Sequence, residues 1–426
     1  MLAEDIGGLE AARESLARER LEELQALART YRNWSVKELA HALGRQPGRL
    51  VPDSGMPKID LVVGLAKALD WPVEAVVDHL IKPADESHRS RSQDAPADYA
   101  RLYNESLIKR DERDYAEAVR LAVRAHAAAD TPTRKAAALI VEAQAHDSSG
   151  SYTEAVRCLR NAGRIDGVAV DWRMLGDANL ANMLFMQGQS THALGIASSV
   201  LEYLGSLPET DASRWARVMA AWTRGHALRA SIPFSNFAQW KPLAESARSD
   251  FLTVREITES LLSMPNARSH HYGDIRASID PVLLEVEAIC DTDAAEQIIR
   301  MLVAIVRENG TIEPGIGDRK AWAAIALANS VKRFLTDELQ RRGILEIASS
   351  TLRAHAIVTS NWYFAHQHLE IEAERRRMFS THGVAARALD AMEAKLVAGV
   401  LGQVPAARRH ADEFMAMYAN RDGGRA

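Results

Sequence analysis

Cysteine is nearly missing from this chain: there are two in 426 residues, Cys158 and Cys290. Each sits inside an apolar helical pattern, which predicts buried, reduced thiols in a reducing compartment rather than a disulfide or a metal site. No apolar run approaches the roughly 18 residues of a membrane span. The first residues, Met1-Leu2-Ala3-Glu4-Asp5, are acidic and carry no apolar stretch of the signal-peptide kind. A soluble cytoplasmic protein with no membrane partner is expected. Excess positive charge is also lacking, since 52 basic and 57 acidic residues leave a net of −5. The whole chain therefore has no field that would draw polyanions.

Catalytic signatures are absent as well. There is no Gly-x-Ser-x-Gly and no His-Glu-x-x-His. The glycine-rich run from Glu313 to Asp318 has neither the preceding strand nor the Lys-Ser/Thr pair of a phosphate loop. Two histidine groups, His270-His271 in an expected inter-helix connection and His366 with Glu370 one helical turn apart, have no identifiable third metal ligand. No enzyme activity, cofactor or metal is expected. Strand-type alternation is nearly absent too, which leaves an all-α fold.

What is present is a repeat. Three turns read Asp114-Tyr115-Ala116-Glu117-Ala118, Gly150-Ser151-Tyr152-Thr153-Glu154-Ala155 and Gly188-Gln189-Ser190-Thr191-His192-Ala193. Their alanines at 118, 155 and 193 lie 37 and 38 residues apart. A glycine ends the first helix of each later pair, and a small alanine lets the second helix pack closely on the first. The period is close to the roughly 34 residues of tetratricopeptide repeats, which this segment resembles. Stacked pairs of that kind present a long concave surface, suited to a peptide or protein ligand. Helical amphipathicity continues beyond Tyr203, with breaks expected near 231–237, 263–274 and 309–318.

Ahead of the repeats, residues 9–33 read as one helix. Ser35 is placed to cap a helix through Leu39-Ala40, and Gly44 to stop it. Further helices are expected after Pro57 and Pro72. The order Leu39-Ala40, Leu43-Gly44, Leu50, Leu65-Ala66-Lys67-Ala68-Leu69 and Val73-Val76-Val77 resembles the lambda-repressor-like helix-turn-helix domain of bacterial regulators. The family's Ser/Thr-rich recognition helix is replaced here by Arg45-Gln46-Pro47-Gly48-Arg49-Leu50-Val51-Pro52, in which Gly48 weakens and Pro52 shortens a helix. The expected organisation is an N-terminal helix (1–33), a helix-turn-helix domain (34–82), a Pro/Ser/Asp/Arg-rich linker (83–98) and a tetratricopeptide-like α-solenoid (99–420).

Two sets of candidate site residues follow. Arg45, Gln46, Arg49 and Lys58 are the base- or phosphate-reading candidates for double-stranded DNA. Residues 1–82 hold 11 basic and 13 acidic groups, a net of −2, whereas 37–67 alone carry five and three, a net of +2. So weakly charged a head calls for a partner subunit, and a homodimer is expected. In the solenoid, Asn179 and Asn182 fall at positions that face the groove in tetratricopeptide proteins, where an amide can both donate to and accept from a peptide backbone. Arg224 and His226 on the next first helix would add charge for a carboxylate.

A helix-turn-helix head joined to such a solenoid resembles the bacterial peptide-sensing regulators, quorum-sensing transcription factors among them. The resemblance implies a DNA-binding regulator whose solenoid senses a peptide or protein and moves paired heads. The alternative is an interaction or scaffold protein that does not bind DNA, with a degenerate head.

Overall fold

The computed structural model describes most of residues 17–29, then 34–52, 57–69, 98–262, 269–308, 316–380 and 390–408, with scattered positions at 73–80 and 411–415. Among the described residues the protein is helical throughout and has no strand. It divides into two compact units, Met1–Asp94 and Ala95–Ala426. None of the described helices is long and apolar enough to cross a membrane. Residues 83–97 of the expected linker and the first 16 residues lie outside the described residues, and Asp98, the last expected linker position, already begins a helix.

In the first unit, α1 (Val36–Ala42) begins at a capping box. Glu38 N–H donates to Ser35 Oγ at 3.3 Å, and Ser35 N–H donates to the Glu38 carboxylate at 2.7 Å. Gly44, at φ +63°, ends the helix, and Arg45 N–H reaches back to the Ala40 carbonyl at 2.8 Å. A three-residue 3-10 turn, Pro47–Arg49, follows, and then α2 (Ile59–Leu69). The core gathers Leu21, Leu24 and Ala28 with Leu39, Leu50, Leu61, Leu65 and Val76. Buried Gln25 donates to the Leu50 carbonyl at 2.8 Å, which pins the 45–52 segment to this core.

The second unit is a run of antiparallel helices, each packed on its sequence neighbours. Its first half contains α3 (Asp98–Asp111), α4 (Tyr115–Ala128), α5 (Pro132–Ser148), α6 (Tyr152–Gly163), α7 (Val170–Met186) and α8 (Ser190–Leu204). Three of its turns share one hydrogen-bond scheme. The N–H groups of Asp114, Ser151 and Gln189 reach back five residues to the carbonyls of Lys109, His146 and Leu184. That closure needs a left-handed residue, supplied by Arg113 (φ +67°), Gly150 (+80°) and Gly188 (+80°). Ala118, Ala155 and Ala193 are fully buried where the paired helices touch.

The second half comprises α9 (Asp211–Ser231), α10 (Phe237–Leu262), α11 (Ser269–Cys290), α12 (Ala295–Arg307), α13 (Ile316–Phe334), α14 (Glu338–Thr359), α15 (Trp362–Ser380) and α16 (Ala391–Gln403). The break near 231–237 falls where the sequence places it, at a 3-10 turn over Ile232–Phe234. Residues 309–315 of the expected break at 309–318 lie outside the described residues, and 316–318 already belong to α13. The histidine pair at 270–271 does not lie in a connection, because α11 already begins at Ser269. Pro242 and Pro281 lie inside helices rather than opening them.

This run closes on itself. Tyr152 at the start of α6 donates its hydroxyl to Asn361 Oδ1 at 3.0 Å, and Trp362 Nε1–H donates to the Gly150 carbonyl at 2.9 Å. Thr153 N–H reaches Gln403 at 3.3 Å. A Cβ at Gly188 would sit 2.9 Å from the Ala406 methyl. The early turns therefore carry the ends of the last helices.

Candidate functional site

In the first unit the segment expected to read DNA folds as irregular backbone around its 3-10 turn. Pro47 and Gly48 occupy two of that turn's three positions. Gln46, Arg49 and Lys58 are exposed. Arg45 is half-buried and tied to Asp60, with Nη2 to Oδ2 at 2.7 Å. Solvent screens a pair with so exposed a carboxylate, so it contributes little. Arg49 and Lys58 have no ion pair among the described residues, so their charges face solvent unpaired.

In the second unit a polar ladder crosses three helices at the repeat spacing. Arg110 on α3 donates to Gln144 Oε1 on α5 at 2.5 Å, and Gln144 Nε2 lies 3.4 Å from Asn179 Oδ1 on α7. Asn179 Nδ2 donates to the Leu175 carbonyl at 2.8 Å. The steps are 34 and 35 residues. Asn179 is buried, with both ends of its amide engaged inside the protein. Asn182 is half-buried and has no hydrogen-bond partner among the described residues.

The other expected pair, Arg224 and His226, is not presented together to a groove. Arg224 makes a two-point contact with Asp250, at 2.8 and 2.6 Å, which neutralises its charge. Burial pushes the Asp250 carboxyl upward, and Arg224 opposes that shift. His226 is fully buried in an aromatic core, with ring centroids 4.1 Å from both Trp222 and Trp322 and 5.1 Å from Phe251. Neither ring nitrogen has a hydrogen-bond partner among the described residues. Desolvation, reinforced by the Arg229 cation, holds it well below the ordinary imidazole range, so it is neutral. The expected charge for a ligand carboxylate is therefore not on offer at His226.

That core also joins distant helices: Phe185 on α7 lies 5.2 Å from Tyr363 on α15, and Trp322 on α13 lies 5.6 Å from the same ring. Beside it, Glu285 on α11 holds two cations, Arg229 at 2.5 Å and Arg333 at 2.8 Å, and accepts from Asn329 at 3.0 Å. Glu285 and Arg229 are almost entirely buried.

An open cleft of about 550 Å³ lies between α7 and α8, lined by none of the residues expected to face a groove. Met174, Asp177, His192, Ile196 and Tyr203 line it. Burial raises the Asp177 carboxyl against the pull of Arg173. Tyr203 is half-exposed. Its apolar floor with an acid, an imidazole and a phenol at the rim suits an extended, partly cationic segment. The sequence signal was an α8 stripe of small and polar residues (His192, Gly195, Ser199), which leaves room beside α7.

Glu370, one turn from His366 on α15, lies 3.8 Å from Lys332, and Lys332 also pairs with Glu374 at 2.6 Å. Cys158 is buried and free, whereas Cys290 is only half-buried.

No family model matches this chain, and no curated protein matches it. Among solved structures, the crystal structure of Bacillus thuringiensis PlcR in complex with the peptide PapR7 and DNA is similar over 68% of this chain and 100% of that one, at 14% identity and a TM-score of 0.33.

Proposed function

We propose that the protein is a DNA-binding transcriptional regulator, in which a helix-turn-helix head is governed by a tetratricopeptide-like solenoid that senses a peptide or protein segment. The observation that carries this reading is the division into two units with separate cores, the first exposing Gln46, Arg49 and Lys58, whose side chains have no partner among the described residues, beside a capped short helix. These three groups contact phosphates and base edges, and Arg45 joins them when a phosphate replaces Asp60. Two heads in a homodimer supply enough contacts for useful affinity. In the solenoid, Asn182 and the α7/α8 cleft receive the ligand. Asn179, Arg224 and His226 hold the wall behind it.

The test is capture of genomic DNA fragments by the full-length protein, followed by gel shifts over a salt series. Arg49→Ala with Lys58→Ala is expected to cost about 2–4 kcal/mol of binding and to flatten the salt dependence. No retained DNA at low salt overturns the regulator reading.

One observation favours a second reading. The recognition position holds only a 3-10 turn, and Arg45 is engaged with Asp60. An interaction protein without DNA binding would look the same, and it is what remains if capture fails while peptide arrays find a ligand abolished by Asn182→Ala.

A further inference from the structure

The α5–α6 hairpin brings three different metal-ligating side chains to one point. Glu142 and His146 lie one turn apart on α5, and Cys158 faces them from α6. One ligand atom from each falls within 4.8 Å of the other two. Cys158 Sγ is 3.2 Å from Glu142 Oε1, and His146 Nε2 is 3.8 Å from the same oxygen. Tetrahedral zinc, with bonds of about 2.0 Å to O and N and about 2.3 Å to S, separates its ligands by about 3.3–3.5 Å. The two edges that meet at Glu142 are within about half an ångström of that spacing, and the Cys158–His146 edge, at most 4.8 Å, closes onto the ion by rotation of the half-buried His146 side chain.

We propose that Glu142, His146 and Cys158 form a binding site for a divalent cation of the zinc class. One carboxylate oxygen, one imidazole nitrogen and one thiolate hold the ion, and water fills the fourth tetrahedral position. The mixed O, N and S donor set suits a borderline ion better than calcium or magnesium, which take oxygen ligands.

The surroundings explain how the site stays closed in the metal-free protein. Burial and the neighbouring Glu142 charge push the Cys158 thiol upward, so it is protonated and donates to Glu142. The Arg157 guanidinium covers the pair, 3.8 Å from Glu142 and 3.9 Å from the sulfur, while its Nε–H donates to Glu154 at 2.7 Å. Its side chain is 54% exposed and can turn outward without losing a buried position. Binding breaks the Cys158 S–H bond, forms the metal–sulfur bond and releases the proton to solvent. Carboxylate and thiolate then balance the two positive charges, which makes burial of the ion tolerable.

The experiment titrates full-length, reduced, metal-free protein with Co²⁺, whose thiolate bond gives a charge-transfer absorption. One equivalent should produce the band with release of one proton, and Zn²⁺ should abolish it by displacement. Cys158→Ser removes the band and Cys290→Ser retains it. His146→Ala weakens binding at least tenfold, with circular dichroism confirming an intact helical fold. Should Cys158→Ser fold poorly, alkylation of Cys158 in the wild-type chain at sub-denaturing urea, where the buried thiol is transiently exposed, should be slowed by Zn²⁺ and gives the same answer. A wild-type protein without the band, a band that survives Cys158→Ser, or alkylation unaffected by Zn²⁺ overturns the assignment.

Discussion

Tyr152 and Asn361 are separated by 209 residues in the chain and joined by a 3.0 Å hydrogen bond. Asn361 Oδ1 also accepts from Phe364 N–H at 3.1 Å, so the oxygen that caps α15 receives the phenol as well. Tyr152 is buried, and its environment holds the phenol well above its ordinary range, so it acts as a neutral donor. This contact ties the second repeat turn to the start of α15 and turns an open row of helix pairs into a closed one.

Gly150 is a sensitive point of that closure. It combines φ +80° with a position where a Cβ would meet the Ser360 carbonyl at 2.4 Å. Gly150→Ala is expected to destabilise the second unit by roughly 2–4 kcal/mol, through left-handed strain and overpacking together. Urea denaturation followed by circular dichroism checks this, and a loss below half a unit on that scale would show that the closure is plastic.

The same seam confers a pH dependence. Burial, with the Asp318 charge second, raises the Asp147 carboxyl from 3.8 to about 7. Tyr115 and Tyr152 also lie within reach of that charge, and His355 Nε2 lies 3.1 Å from Asp318. An acid raised on folding binds its proton more tightly in the native state. Its contribution is therefore fully present below about pH 4 and is lost as the pH rises through about 7. Asp147→Asn should melt higher than wild type near pH 8 and lose that advantage as the pH falls to about 4. Parallel melting curves at both pH values would refute the assignment.

Glu285 neutralises two buried cations, so its charge matters more than its shape. Glu285→Gln keeps the volume but leaves Arg229 and Arg333 facing a neutral amide. A loss of about 3–5 kcal/mol is expected. Glu285→Gln combined with Arg229→Met should recover part of it, measured in the same denaturation assay.

His226 offers the opposite case. Its two ring nitrogens are buried without partners, which costs free energy that an apolar ring of similar shape would not. His226→Phe should leave stability unchanged or raise it by about 1 kcal/mol. Should the second unit bind a ligand as proposed, the variant is expected to bind it as wild type does, and a large loss in calorimetric titration would return His226 to the contact surface.

Much of the local structure could be read from residue patterns. The Ser35 cap, the Gly44 stop and the turns at Gly150 and Gly188 follow from short-range chemistry, in which a side-chain oxygen meets a free N–H or a glycine accepts positive φ. The matching left-handed position of the first turn is held by Arg113, which no residue pattern marks. The 37- and 38-residue spacing of the alanines translates directly into buried helix contacts. Site residues were less legible. Residue type and repeat position put Asn179 and His226 on a ligand-facing wall, but their partners decide what they can do, and those partners come from other helices: Gln144, Trp322 and Phe251.

By itself, then, the sequence determines an all-helical chain with a repeat of helix pairs, because periodicity, caps and turn residues act over a few positions. Tertiary structure alone decides that the row of helices closes through Tyr152, Trp362 and Gln403. It also decides that Arg224 is neutralised by Asp250, and that Glu142, His146 and Cys158 converge on one point. These outcomes depend on distances between helices, set by the packing of side chains that are tens to hundreds of residues apart, and no local pattern encodes those distances.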